Sequence, residues 1–129
     1  MKKLVLLAAA AVAMSGAMLP AGAATKKATD TYVATNGVAG VHAVSDESLT
    51  VNGPGKAILK KKVDGNWVTK HSEEIKFTEN LAFFDSLVLG SKGDCKVVAK
   101  YLGNAKYAAS TSKGWPVDCK TGAYNGPPA

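Results

Sequence analysis

Short clusters of Gly, Asn and Asp interrupt this chain at intervals of roughly eight to twelve residues, and this spacing restricts its fold more than any other feature. The clusters run from Asn36-Gly37 to Lys113-Gly114. After residue 23, no stretch of ten or more residues shows the 3.6-residue apolar period of a helix. Regular turns without helical periodicity are typical of sandwiches and barrels, so the sequence predicts an all-β fold.

The runs between these clusters have strand character. We predict strand-like segments over residues 32–35, 38–44, 48–51, 57–63, 67–72, 81–89, 95–101, 107–111 and 115–119. The segment 81–89 is apolar on both faces, which predicts a central strand buried in the core. The segment 95–101 alternates in polarity, with Lys96 and Lys100 on one face, which predicts a half-buried strand.

One hairpin is specific enough to predict a register. If Asp64-Gly65-Asn66 forms a three-residue loop, Val63 faces Trp67 and Leu59 shares a face with His71. This register places apolar residues together across the two strands.

The first residues have the pattern of a secretory signal. Lys2 and Lys3 precede the apolar run 4–13, and small residues follow at 21–24. A run of about ten residues is too short to span a bilayer, which needs about twenty. We expect cleavage after Ala23, with Ala24 as the alternative last residue, and a secreted, extracellular product without a membrane anchor.

The remaining chain divides into three parts. Residues 24–31 are small and polar, and residues 122–129 contain Asn-Gly-Pro-Pro, so both ends are predicted to be flexible. Residues 32–121 form the predicted β-domain, which is of ordinary size for a single domain.

Two cysteines, Cys95 and Cys119, occur in a chain with an export signal. An even number of cysteines in an oxidising compartment predicts a disulfide, and two cysteines allow one pairing. The loop of about 25 residues would stabilise the fold by roughly 3.5 kcal/mol. We expect no zinc site, because two sulfurs at this separation lack nearby His partners.

The positive charge is carried entirely by lysine. Loss of Lys2 and Lys3 with the signal lowers the formal charge from +6 to +4, and the sequence contains no Arg. Because Arg is the favoured residue for bidentate recognition of phosphate and guanine, specific binding of nucleic acid is not expected. The lysines form either a solvated face or a surface with weak attraction for an anionic polymer or surface.

Two segments resemble bacterial immunoglobulin-like domains. Residues 58–68 contain a strand, an Asp-Gly turn and a Trp strand, and residues 95–104 read apolar-x-Ala-x-Tyr before Gly-Asn, followed by Tyr107 and Ser110. The resemblance covers about residues 48–119 and implies an immunoglobulin-like antiparallel β-sandwich of about seven strands with one disulfide. It differs from the vertebrate pattern, because both cysteines fall in the last two strands. The bridge is therefore expected within a sheet or at its end.

No group of residues indicates catalysis. His42 and His71 are the candidate bases with a near-neutral reference pKa, and neither belongs to a recognisable motif. His71 adjoins Ser72 and Glu73, but neighbours in a strand point to opposite faces. The segment 53–56 lacks the length and the Ser or Thr of a phosphate-binding loop. We expect no catalytic residue, no bound metal and no cofactor.

Trp115, between Gly114 and Pro116, is the best candidate for an exposed contact residue, together with Lys113. The alternative is that Trp115 closes the end of the sandwich. The leading hypothesis is a secreted, non-enzymatic module that binds an unknown extracellular protein or polysaccharide, or helps to build the cell surface or matrix. A secreted inhibitor or toxin-like effector presenting residues 113–116 is the alternative, and a hydrolase is the third.

Overall fold

The computed structural model describes residues 25–128, and the predicted signal peptide, residues 1–23, lies outside them. This part of the chain contains strands and no helix, which confirms the all-β prediction. No membrane-spanning helix occurs among the described residues. The strands are β1 (Thr29–Thr35), β2 (Val38–Ala43), β3 (Gly53–Val63), β4 (Asn66–Phe77), β5 (Leu81–Phe83), β6 (Asp94–Tyr101), β7 (Ser110–Thr111) and β8 (Trp115–Asp118).

The strands form two antiparallel sheets. The three-stranded sheet has the order β1-β2-β5, and the five-stranded sheet has the order β4-β3-β6 with β7 and β8 both beside β6. The chain changes sheets after β2, after β4 and after β5. The chain therefore passes between the two sheets three times, so the two sheets belong to one domain.

The inner faces of the two sheets enclose one core. Buried side chains from both sheets share it, including Val41 and Ala82 from the smaller sheet and Leu59 and Phe77 from the larger. The Tyr101 ring is fully buried and meets Phe77 edge to face, with ring centroids 5.6 Å apart. Its hydroxyl donates a hydrogen bond to the Asn52 carbonyl at 2.8 Å, so the polar end of the ring is satisfied. Burial raises the pKa of Tyr101.

The β3–β4 hairpin differs from the predicted register at its tip. Its loop has two residues, Asp64 and Gly65, with φ of 52° and 82°. These positive values are typical of the type I′ turn that matches the twist of a hairpin. Val63 therefore pairs with Asn66 rather than facing Trp67.

Farther from the turn, a bulge in β4 shifts the pairing by one residue and restores the predicted register. Lys60 pairs with Thr69 and Leu59 with His71, so Lys70 is the extra residue on β4. The predicted pairing of Leu59 with His71 is therefore present, although it is reached through a shorter loop and a bulge.

The prediction of a central strand over residues 81–89 is wrong. Only Leu81–Phe83 is a strand, it lies at an edge of the three-stranded sheet, and Phe83 is 71% exposed. In the segment that follows, the backbone of Leu87 is bound by the side chain of Asn36 and not by a neighbouring strand. Asn36 Nδ2 donates to the Leu87 carbonyl at 3.0 Å, and the Leu87 N–H donates to Asn36 Oδ1 at 2.9 Å.

The predicted short strand at residues 48–51 is also wrong. The Ser48 N–H and hydroxyl both donate to Asp46 Oδ1, at 3.0 and 2.6 Å, and form a local turn. These bonds lower the pKa of the Asp46 carboxyl. Val51 is buried in the core without belonging to a strand.

Both ends of the described chain make specific contacts. β1 begins at Thr29, inside the segment 24–31 that was predicted to be flexible. The Thr29 and Thr31 hydroxyls share hydrogen bonds with the Ser110 hydroxyl at 2.7 and 2.6 Å. Near the other end, Tyr124 forms an isolated bridge with Val117.

The disulfide joins Cys95 and Cys119, as predicted, with a Cα–Cα distance of 5.0 Å. Cys95 lies in β6, and Cys119 follows β8, which pairs with β6. The bridge therefore lies at the end of one sheet rather than between the two sheets. Both cysteines are buried.

Candidate functional site

A surface cleft of about 510 Å³ lies between β1 and the start of β8. We call it the Trp115 cleft. Its lining residues come from two distant parts of the chain and are Asp30, Thr31, Tyr32, Val33, Thr111, Lys113, Gly114 and Trp115. It joins the edge of the three-stranded sheet to the edge of the five-stranded sheet, so its shape depends on how the two sheets pack.

Trp115 is held on two sides. It pairs with Val97 of β6, and its side chain is partly buried against the core. The Tyr124 ring lies against it, with ring centroids 4.6 Å apart and an interplanar angle of 43°. An aromatic ring fixed in this way loses little conformational freedom when a ligand contacts its remaining surface.

Lys113 is exposed and lies in the connection between β7 and β8. Ser112 attaches this connection to β6, because its N–H donates to the Ala99 carbonyl at 2.8 Å and its hydroxyl accepts from the Ala99 N–H at 2.9 Å. The Ser112 hydroxyl also donates to the Lys113 carbonyl at 2.8 Å. The Lys113 side chain therefore extends from an anchored backbone.

Gly114 allows the connection to lie close to the sheet. A Cβ at this position would lie 2.5 Å from Lys96 Cδ. The absence of a side chain at Gly114 leaves room for the Lys96 side chain, so a larger residue at this position would displace the flexible end of Lys96.

The opposite wall of the Trp115 cleft is β1. The side chain of Asp30 is 64% exposed, and its Oδ2 lies 3.9 Å from His42 Nε2. Tyr32 is 42% exposed and crosses Gly40, where a Cβ would lie 2.2 Å from the Tyr32 ring. The cleft thus combines an aromatic ring and an ammonium group on one wall with a carboxylate on the other. This combination suits binding of a ligand that has both apolar and polar groups.

The structure brings together the two contact residues chosen from the sequence. Trp115 and Lys113 both line the cleft. Trp115 is partly buried and packs against the core, and it is not among the exposed large apolar side chains of the described residues. Asp30 was not identified from the sequence, because it lies in a segment interpreted as flexible. The alternation of residues 29–33, with Thr31 and Val33 inside, was the local signal for this strand.

The two histidines lie on different sheets, with His42 half-buried and His71 exposed. His71 Nε2 is 3.7 Å from Glu73 Oε1, with the two side chains 52% and 33% exposed. Ser72 pairs with Ile58, whereas His71 pairs with Leu59, so the hydroxyl and the imidazole lie on opposite faces of β4. Within residues 25–128, no three His, Cys, Asp or Glu side chains form a group that could hold a metal ion.

Comparisons of the chain with protein-family models, with curated proteins and with solved structures found no match. We therefore infer function from the geometry of the cleft and of the sheets.

Proposed function

We propose that this protein is a secreted, non-enzymatic immunoglobulin-like module that binds an extracellular protein or polysaccharide at the cell surface or in the matrix. The observation that carries the proposal is the Trp115 cleft, in which Trp115, Lys113 and Asp30 lie on walls with anchored backbones. Such a cleft can hold a ligand without a large rearrangement of the protein.

The strand order supports an immunoglobulin-like assignment. In variable-type immunoglobulin domains, strands A, B, E and D form one sheet, and strands C″, C′, C, F and G form the other. The order β1-β2-β5 here matches A-B-E and the order β4-β3-β6-β8 matches C′-C-F-G, whereas no described strand takes the place of D or C″. The loops and sheet edges of such sandwiches commonly carry binding sites on a rigid scaffold.

The disulfide is compatible with an extracellular location. Disulfides persist in oxidising compartments and are rare in the cytosol. The Cys95–Cys119 bridge and the signal-like residues at the start of the chain support the same proposal of export.

The geometry of residues 113–116 favours a binding module over an inhibitor. An inhibitor needs a projecting, rigid loop that resembles a substrate. Trp115 and Pro116 instead belong to β8, where they pair with Val97 and Lys96. Only the short connection before them is free of strand pairing.

The proposal is tested with labelled mature protein and intact cells of the producing organism, with the extracellular matrix measured separately. We expect saturable binding of the wild type. Lys113→Ala and Trp115→Ala should each weaken it at least about tenfold, as is typical of residues central to an interface. Unchanged binding by both variants, or no binding by the wild type, would contradict the proposal.

Matched controls separate the cleft from general surface effects. Lys120→Ala removes an exposed lysine outside the cleft, and Phe83→Ala removes a 71% exposed aromatic side chain of β5 that does not line the cleft. Both should bind like the wild type. Thermal unfolding identifies any variant that binds weakly because it is unfolded, and Lys113→Ala provides the test on an exposed side chain if Trp115→Ala does not fold.

A further inference from the structure

The outer face of the five-stranded sheet carries opposed pairs of lysines. Lys56 of β3 pairs with Lys100 of β6, and Lys60 pairs with Lys96. Their strand neighbours Ala57, Leu59, Val97 and Ala99 are in the core. Because side chains alternate between faces, the four lysines point away from the core. We call this surface, with Lys62, the lysine face.

Like charges directly opposite each other destabilise a sheet. The lysine face has two such pairs on adjacent strands. In the part of the chain that the structure describes, the ion pairs involve His42 and His71, and none involves a lysine. Glu74 is the cross-strand neighbour of Lys56 on β4, without forming an ion pair with it. The lysines of this face are therefore not neutralised by an ion pair within the described residues, and Asp94, two residues before Lys96, is a further carboxylate on the same side of β6.

An apolar pair lies between the two lysine pairs. Ile58 pairs with Val98, and these side chains are only 7% and 6% exposed although they point outward and do not belong to the shared core. The neighbouring lysines have long aliphatic stems that can cover such residues while their charged ends stay in water. Ile58 and Val98 therefore offer little apolar surface to a ligand, and the lysines provide the charged groups of this face.

Trp67 lies at the margin of this surface. It pairs with Lys62, is 41% exposed and has Lys96 Nζ 4.3 Å from its ring centroid. The ring is therefore held beside the lysine face by a cation–π contact. An exposed aromatic face beside positive charges can contact the apolar face of a sugar while the ammonium groups bind its anionic substituents.

We propose that the lysine face binds a linear polysaccharide that carries sulfate, phosphate or carboxylate groups. The two lysine pairs are four residues apart along β3, which corresponds to about 13 Å, and the partners in each pair lie on strands about 5 Å apart. Charges distributed over such a distance match a polymer with repeated anions better than one small ion. Lysines without Arg bind such anions as point charges and tolerate variable spacing.

The lysine face is a second surface that borders the Trp115 cleft. None of its five lysines lines the cleft, although the Lys96 side chain passes beside Gly114, which does. The proposal does not depend on the ligand of the cleft, and Lys56, Lys60 and Lys100 can be substituted without changing a residue beside it.

The proposal is tested with mature protein and two probes that share a sugar backbone, dextran sulfate and neutral dextran. We expect binding of dextran sulfate that weakens as salt is added, and no binding of dextran. The combined variant Lys56→Gln, Lys60→Gln, Lys96→Gln and Lys100→Gln should bind at least about tenfold more weakly. Polygalacturonate, tested in parallel, shows whether carboxylates can replace sulfates.

A charge-matched control removes four exposed lysines outside the face, namely Lys26, Lys92, Lys106 and Lys120, each changed to Gln. This control should bind dextran sulfate within about threefold of the wild type, because it lowers the net charge equally and leaves the lysine face intact. An equal loss of binding in both combined variants would overturn the proposal, since net charge alone would then explain the interaction.

Unfolding measurements separate a loss of binding from a loss of folding in these variants. Removal of opposed like charges raises the melting temperature of the lysine-face variant, whereas loss of the Lys96–Trp67 contact and of the stems beside Ile58 and Val98 lowers it. Binding is therefore measured at a temperature at which both combined variants are folded, and wild-type binding by the folded lysine-face variant would contradict a binding role. Tighter binding to duplex DNA or to vesicles of phosphatidylglycerol and phosphatidylcholine than to dextran sulfate would also overturn the choice of a polysaccharide.

Discussion

Asp118 organises the turn that follows the last strand. The backbone N–H groups of Thr121 and Lys120 donate to its Oδ1 at 2.9 and 2.8 Å. These bonds favour the charged carboxylate and hold the pKa of Asp118 below its ordinary value of 3.8. A carboxyl group with a lowered pKa in the folded state stabilises the fold above its unfolded pKa, and this contribution is lost as the pH falls through the folded pKa.

Asp118→Asn should therefore reduce stability at neutral pH and matter less in acid. The variant keeps an acceptor oxygen but lacks the charge, so its deficit relative to the wild type should shrink as the pH falls below 3.8, the ordinary pKa of Asp. Urea unfolding of both proteins across this range measures the difference. A deficit that stays constant or grows in acid would show that the charge on Asp118 is not the cause.

At the scale of an element, the β3–β4 hairpin depends on one backbone conformation. Gly65 has a φ of 82°, and a Cβ built on it would have no other atom within 4 Å. Any cost of a side chain at this position therefore comes from the backbone and not from a clash. The two-residue loop also determines which residues of β3 and β4 face each other beyond it.

Gly65→Ala should destabilise the protein by about 1–2 kcal/mol, because alanine disfavours the left-handed conformation. Gly65→Asn should cost less, since Asn tolerates positive φ. Chemical unfolding of the three proteins provides the comparison. Equal stability of the alanine variant and the wild type would mean that the loop adopts another conformation.

At the scale of the whole molecule, the disulfide restrains the end of the five-stranded sheet. It closes a loop with a sequence separation of 24 that contains β7 and the β7–β8 connection. One wall of the Trp115 cleft lies inside this loop. The bridge therefore restricts both the unfolded chain and the segment that presents Lys113.

Reduction of Cys95–Cys119 should lower the free energy of unfolding by about 2–4 kcal/mol, with a lower denaturant midpoint and a largely unchanged slope. Cys95→Ala and Cys119→Ala should each destabilise the protein to a similar extent, because either one removes the bridge. The variant with both substitutions serves as the control, since reductant should not affect it. Two free thiols in the untreated protein would contradict the pairing.

The sequence by itself determined the all-β class and the disulfide pairing. Turn residues and two-residue periodicity are local properties, so the strand at Asp94–Tyr101 was predicted to within one residue. Two cysteines allow a single partner for each. The segment 81–89 was misjudged because its apolar content does not reveal that Asn36, far away in sequence, binds the backbone of Leu87.

Only the tertiary structure decided where the candidate surfaces lie. The Trp115 cleft forms because β1, which carries Asp30, lies beside the start of β8, which carries Trp115, although the two strands belong to different sheets. No local pattern relates residues so distant in the chain. The opposition of Lys60 and Lys96 depends on the register between β3 and β6, in which a shift by one residue would change the facing partners. Local preferences specify strands and turns, whereas the packing of the shared core selects the register and the facing edges, and with them both surfaces.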